Sequence, residues 1–232
     1  ISEINDQNVI HIDKNKDVFY LSLEDGSVVK SKTILIATGS NPRKLGVKGE
    51  VEFSNAGVAY CAICDAPLFK GKDVIIAGGG NSAVEAAIDV AKIAKHVTLV
   101  HRSQLRADKI LVDKMNEQAN IKVYLESQIL EIEGDTKMRS IRVLDKQSNT
   151  EFRLEADGIF IEIGNIPNSD LVKNLVELND RNEIIVNHKQ ETSLEGCYSA
   201  GDVTNTPYKQ IIIATAEGAK AALAANEYIN TH

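Results

Sequence analysis

Several features are missing from this 232-residue chain, and each absence excludes something. No apolar stretch approaches the roughly 20 residues that a membrane-spanning helix needs, and no signal-peptide pattern is visible. There is no excess of positive charge. Lys and Arg number 26 against 33 Asp and Glu, for a net charge of −7, which argues against a nucleic-acid or anionic-membrane partner. Only three cysteines are present, Cys61, Cys64 and Cys197. That is too few for a secreted disulfide scaffold and suits a reducing compartment, so a cytoplasmic location is expected. No repeat of 20 to 50 residues and no low-complexity tract occurs. The only methionines are Met115 and Met138, and the first residue is Ile1, so the chain is expected to be part of a longer protein. What is present, 43% hydrophobic and 25% charged residues, is the composition of a soluble globular protein.

The hydrophobic pattern predicts mixed α/β structure. Residues 17–36 read as β, with Phe19, Leu21 and Leu23 on one strand face, a turn at Glu24-Asp25-Gly26-Ser27, and the apolar run Thr33-Ile34-Leu35-Ile36. Residues 43–60 read as an irregular connector. Asp73 to Ala77 is a buried strand running into a Gly-rich turn, then a helix to about His96 and a strand Val97 to Val100, together a βαβ unit. A helix near 107–118 and strands near 121–125, 140–144, 151–155 and 157–164 follow. Residues 184–187 and 197–200 read as short strands, and an Ala-rich helix covers about 210–229.

Two motifs carry chemistry. Gly78-x-Gly80-x-x-Ala83 sits between a strand and a helix, as dinucleotide binding requires. The first glycine makes the turn, the second lets backbone approach a pyrophosphate, and the small third residue lets helix and strand pack closely. Asn81 and Ser82 lie in the first helical turn, whose N–H groups favour an anion. At the end of the second strand stand His101 and Arg102, with Arg106 nearby, where an Asp or Glu would bind a ribose 2′-hydroxyl. A guanidinium can bind a 2′-phosphate, so NADP is favoured over NAD; the alternative is that both arginines are solvated surface charges. The second motif is Cys61-Ala62-Ile63-Cys64. Its spacing allows a disulfide that opens and closes by thiolate exchange, and the carboxylate of Asp65 beside it could manage protons. A zinc site would need further ligands, and the one remaining cysteine, Cys197, reads as a small core residue, so no metal is expected. Gly201-Asp202, after an apolar strand, could point a carboxylate at a ribityl chain or cap the next turn.

Taken together, these residues resemble the low-molecular-weight thioredoxin reductase family, in which the alkyl hydroperoxide reductase flavoprotein subunit also belongs. The resemblance rests on Ile34 to Gly39, Cys61 to Asp65, Gly78 to Glu85, His101-Arg102, Gly164 with Pro167-Asn168, Ala200 to Val203, and Gln210 to Ala219. It implies two Rossmann-like domains, a nicotinamide domain of residues 57–163 inserted into an FAD domain that residues 1–56 and 164–232 form in part. About 80 to 100 residues of the usual chain are expected before Ile1, including the unit that holds the FAD pyrophosphate. The resemblance further implies FAD contacts by Thr38, Gly39, Gly201 and Asp202, with Gln210 and Ile211 against the isoalloxazine edge. Cys64 would face the flavin, Cys61 would attack the substrate disulfide, and Asp65 would serve as acid and base. Electrons would pass from NADPH through FAD to Cys61–Cys64 and on to a thioredoxin-like protein, in a homodimer whose nicotinamide domain rotates about connectors near 54–58 and 156–164. Ser103 follows Arg102 where many relatives carry a second arginine, which weakens the preference for NADPH, and the segments 65–72 and 208–210 lean toward the peroxide-linked branch. That branch often uses NADH and feeds a peroxiredoxin. A nicotinamide-binding fragment that holds no flavin is the reading from a different class.

Overall fold

The structure, a computed structural model, describes residues 7–232. It divides into two compact units: unit 1 comprises the chain up to Asn41 and Asn165–His232, and unit 2 is Pro42–Gly164. Unit 2 is therefore inserted into unit 1, and both are α/β, as expected.

Unit 1 opens with an antiparallel sheet of β1 (Val9–Asn15), β2 (Val18–Leu23) and β3 (Val28–Ser31) in that order. Phe19 and Leu23 are buried on the face the alternation assigns them. The β2–β3 turn is closed by Asp25 Oδ1, which accepts from the Ser27 N–H at 2.9 Å. The sequence does not signal β1, because a register irregularity between Val9 and His11 breaks its alternation, leaving Ile12 buried while Ile10, two residues before it, is 60% exposed. β4 (Ile34–Ile36) and β5 (Ser40–Pro42) complete this segment.

Unit 2 holds β6 (Val58–Ala59), α1 (Ala62–Asp65), a 3-10 turn at Ala66–Phe69, β7 (Asp73–Ala77), α2 (Asn81–Ala91), β8 (His96–Val100), α3 (Lys109–Asn116) and β9 (Ile121–Tyr124). β10 (Ser127–Gly134), β11 (Met138–Asp145), β12 (Thr150–Glu155) and β13 (Gly158–Ile161) follow. A five-stranded parallel sheet runs β6-β13-β7-β8-β9. Side chains alternate across it. Val74, Ile76, Leu99 and Phe160 pack under the helices, and Ile75, Ala77, Val100 and Ile159 pack under the antiparallel sheet β10-β11-β12. Burying each such large side chain contributes roughly 1.5–3 kcal/mol, so the strand ends that carry the site are rigidly placed.

Some boundaries differ from the expectation. The helix expected to reach about His96 ends at Ala91, because the next backbone groups bond elsewhere: Ile93 O accepts from the Gly71 N–H, and the Lys95 N–H donates to Lys72 O, both at 2.8 Å. Residues 43–60 are irregular over most of their length, as expected, but they are anchored. Buried Glu50 accepts from the N–H groups of Leu45 and Gly46 and from the Tyr60 hydroxyl, and Phe53 enters the core below β10–β12. This anchoring puts residues 42–56 in unit 2, whereas the sequence reading starts the inserted domain at 57. The stretches 54–58 and 156–164 also lie within unit 2, where the Ile159 N–H donates to Gly57 O.

The chain returns to unit 1 through β14 (Asn165–Pro167), which pairs with β5, then forms β15 (Cys197–Ser199) and α4 (Ile211–Thr231). β15 pairs in parallel with β4. Residues 184–187 form no strand: Ile184 makes only isolated bridges to Leu178 and Thr204, and Asn187 turns the chain, its Oδ1 accepting from the N–H groups of Lys189 and Glu191. Cys197 is buried in this unit's core. Among the described residues no helix is long and apolar enough to cross a membrane.

Candidate functional site

The residues singled out in unit 2 follow the C-terminal ends of β6, β7 and β8, strands of one parallel sheet. The turn after β7 is tightly enclosed on one side and open on the other. A Cβ at Gly78 would lie closer than 3.0 Å to the Glu162 carbonyl oxygen and the Ala83 Cβ, and one at Gly79 would strike the His101 ring. At Gly80, by contrast, no atom lies within 4 Å of the place a Cβ would take. Gly80 is also the N-cap of α2 and offers no side-chain cap, so the first-turn N–H groups of this 11-residue helix remain available to an anion. This open cradle and uncapped helix end fit a dinucleotide pyrophosphate.

His101 is buried, its ring against Gly79 and its Nε2 3.1 Å from Ser103 Oγ. Burial, reinforced by the charges of Arg106 and Arg102, pushes its imidazole below the usual range, so at neutral pH it is an uncharged packing residue. Arg102 and Arg106 are exposed, and the Arg106 N–H donates to Gly79 O at 2.7 Å, tying the arginine loop to the turn. Asn81 does not point freely toward a ligand: it exchanges two hydrogen bonds with Asp108, at 2.8 and 2.9 Å. Ser82 is exposed and Ala83 buried.

Cys61 and Cys64 are joined as a disulfide, with Cα atoms 5.3 Å apart. Cys61 is the N-cap of α1, and its sulfur accepts from the Cys64 N–H at 3.3 Å. Cys64 is exposed, while Cys61 and Asp65 are half-buried. Two residues behind the pair escaped the sequence reading. Glu162 Oε1 accepts from the Ala62 N–H at 3.1 Å; the apolar run around it hid an acid on a strand end. Tyr60 donates its hydroxyl to buried Glu50 at 2.9 Å; only the fold brings these two together.

Tyr60 gives a direct pH prediction. Burial first, and the Glu50 carboxylate second, push its phenol up to about 12 from an ordinary 10.0. The fold thus prefers the protonated phenol, so this stabilisation is complete below pH 10.0 and is lost as pH rises toward about 12. Alkaline unfolding of the native protein is expected to show a fall in stability across that window which Tyr60→Phe lacks. A Tyr60 phenolate forming at the ordinary value would contradict the prediction.

In unit 1, Thr38 Oγ1 donates to Asn168 O at 2.6 Å, Asn168 Nδ2 donates to Thr38 O at 2.8 Å, and the Asn168 N–H donates to Gly39 O at 2.9 Å. This clamp holds Gly39 at φ +68 with open space where a Cβ would be. Beyond β15, the Gly201 N–H donates to Glu217 Oε2 at 2.8 Å. Asp202, Tyr208, Lys209 and Glu217 line a shallow hollow at the start of α4. Glu217 is buried, and its Oε1 has no hydrogen-bond partner among the described residues, so the hollow still lacks a polar partner. Gln210 stands at the N-cap position of α4 without a side-chain capping bond, and Ile211 is 88% exposed. An open glycine backbone, a carboxylate and an unmet acceptor fit part of a flavin nucleotide site. Among the described residues no three His, Cys, Asp or Glu side chains form a metal-binding group.

Comparison with known proteins agrees with this geometry. An NADH dehydrogenase of Ferdinandcohnia aciditolerans is 45% identical over 217 residues, 93% of this chain and 42% of that protein. An alkyl hydroperoxide reductase subunit of Staphylococcus aureus is 45% identical over 219 residues, 94% of this chain and 43% of that protein. The chain therefore spans less than half the length of these curated relatives. The crystal structure of thioredoxin reductase from Streptococcus pyogenes superimposes with a TM-score of 0.90 at 34% identity, covering 97% of this chain and 74% of that one. The family model described as pyridine nucleotide-disulphide oxidoreductase matches residues 1–218, and the chain belongs to that family.

Proposed function

We propose that the protein to which this chain belongs is a flavin-dependent oxidoreductase that moves electrons from a reduced nicotinamide cofactor to the Cys61–Cys64 disulfide and on to a small redox protein. The observation that carries this reading is the disulfide lying beside an open dinucleotide turn, the two linked by Glu162. Bound FAD would supply the two-electron carrier between nicotinamide and disulfide. Thr38, Gly39, Gly201, Asp202, Gln210 and Ile211 would contribute to holding it.

Gly78 and Gly80 would let backbone approach the nicotinamide cofactor's pyrophosphate, and the N–H groups of Asn81, Ser82 and Ala83 would face its charge. Arg102 and Arg106 would bind a 2′-phosphate, which favours NADPH; NADH is the alternative. Reduction breaks the S–S bond with two electrons and two protons, and Asp65 is placed one residue from Cys64 to exchange one of them. Cys61 thiolate then attacks one sulfur of the partner's disulfide, forming a mixed disulfide and releasing the partner's other thiolate. Cys64 thiolate attacks Cys61 Sγ, re-forms the bond and expels the partner's second thiolate.

The partner is a thioredoxin-like or peroxiredoxin-like protein. The 45% identity to an alkyl hydroperoxide reductase favours the second. We place the protein in the cytoplasm as a homodimer. The inserted nicotinamide domain corresponds to unit 2 and the partial FAD domain to unit 1. The test is the purified, FAD-loaded protein, with NADPH and NADH compared in reducing a disulfide dye. The expected result is bleaching of the flavin band and dye reduction, faster with NADPH. No dye reduction with either nucleotide would sink the reading.

A further inference from the structure

Glu162 stands where an acid is costly. It follows β13, whose four residues are all buried. Its N–H donates to Ala77 O at 2.8 Å, and its carbonyl oxygen occupies the space beside Gly78. Its backbone is therefore locked to the end of β7. Its side chain reaches the other way, to the N–H of buried Ala62, the residue after Cys61. No cation pairs with it among the described residues. The segment it reaches carries Cys61, the N-cap of α1, with Cys64 and Asp65 in α1 itself. The β7 turn brings three glycines and no charge, and Tyr60, after β6, is bound to Glu50. Burial raises the Glu162 carboxyl above its ordinary value, the Ala62 N–H opposes this, and no neighbouring charge contributes.

While the disulfide is closed it carries no charge, and the carboxylate and the sulfurs do not compete. Opening it places a thiolate at Cys61, beside a carboxylate that has no counter-ion and that already occupies the Ala62 N–H. Like charges near one another disfavour each other, and a donor taken by one anion is lost to the other.

We propose that Glu162 is a positioning residue for the redox pair: it pins the N–H of Ala62 and, by opposing a thiolate at Cys61, makes the dithiol a stronger reductant. This rests on the reading of Cys61–Cys64 as a redox centre. At a pH where the thiolate forms, a destabilised thiolate leaves the reduced state less stable, so electrons pass more readily to a partner disulfide.

The test uses the purified protein opened with dithiothreitol, without nucleotide or partner, so it does not depend on reductase turnover. Alkylation of Cys61 by iodoacetamide is followed by mass spectrometry from neutral to alkaline pH in native protein, Glu162→Gln and Glu162→Ala. Both substitutions are expected to move the alkylation midpoint down by about one pH unit, on the order of tenfold more thiolate at neutral pH. In a glutathione redox buffer held at a pH above the native alkylation midpoint, both should raise the reduced fraction by up to about tenfold in equilibrium constant, about 30 mV for a two-electron couple. Glu162→Gln is the deciding variant, because its amide oxygen can still accept from Ala62. A midpoint equal to native in Glu162→Gln overturns the proposal, even if Glu162→Ala differs, since that pattern describes a prop without electrostatic effect. A pair that dithiothreitol cannot open overturns the redox reading and the proposal together, whereas opening with an unchanged midpoint overturns the proposal alone.

Discussion

Cys64→Ser is expected to lower nucleotide-driven disulfide reduction by a factor on the order of 10³ or more, the scale seen when a covalent nucleophile is removed, while leaving the fold intact. The disulfide spans a sequence separation of 3. The ring it closes is short, and on the chain-entropy relation it contributes only about 2 kcal/mol, small beside the cores on both faces of the unit 2 sheet. No other thiol can substitute, because Cys197 is buried in the core of unit 1. The measurement is a pair of assays on the FAD-loaded protein: disulfide-dye reduction, and oxidation of the nucleotide by an artificial acceptor that needs no thiol. The first should collapse and the second survive. Dye reduction persisting at the native rate would show that electrons leave by another route.

The second large effect is a contrast between two glycines two residues apart. Gly78→Ala is expected to destabilise the protein by about 3 kcal/mol, within the range for an overpacked core. The added Cβ meets the Glu162 carbonyl oxygen and the Ala83 Cβ closer than 3.0 Å, at φ +155, and neither neighbour is a flexible side-chain end that could move aside. For a chain of this size that corresponds to a melting point lower by roughly 6–12 °C. Gly80→Ala meets nothing within 4 Å, at an ordinary φ of −95, so it should cost less than about 1 kcal/mol, the scale of a poorer N-cap. Its methyl would nevertheless fill the space a pyrophosphate needs, and nucleotide affinity should fall by about tenfold or more. Thermal melting and nucleotide titration of both variants decide the matter. If Gly80→Ala binds nucleotide as the native protein does, the turn is a packing feature and not a phosphate cradle.

Much of this was legible beforehand because the signals are local. The alternation of Phe19, Leu21 and Leu23, the apolar run of β7 and the Gly-x-Gly-x-x-Ala turn each act over a few residues, where the chain's own geometry sets the structure. The cysteine pair is local in the same sense: a separation of 3 already brings the Cα atoms within disulfide reach. Other features depended on partners far along the chain. β10 went unread because its pattern of Glu residues on one side makes sense only opposite β11, where Arg142 pairs with Glu131 and Glu133. The end of α2 was misplaced because the Gly71–Lys72 loop supplies its terminating partners.

By itself, then, the sequence determined the α/β class, the Gly-x-Gly-x-x-Ala turn between strand and helix, and the cysteine pair, since these follow from short-range periodicity, glycine conformation and spacing. Only the tertiary structure decided that His101 lies beneath the turn as a neutral packing residue, that Asn81 is held by Asp108, that Glu50 draws residues 42–56 into the inserted unit, and that Glu162 joins the end of β13 to the residue after Cys61. Each of these depends on burial and on hydrogen bonds between residues 10 to 100 positions apart. A side chain's charge and its partners are set by what the fold packs around it, and no local pattern specifies that.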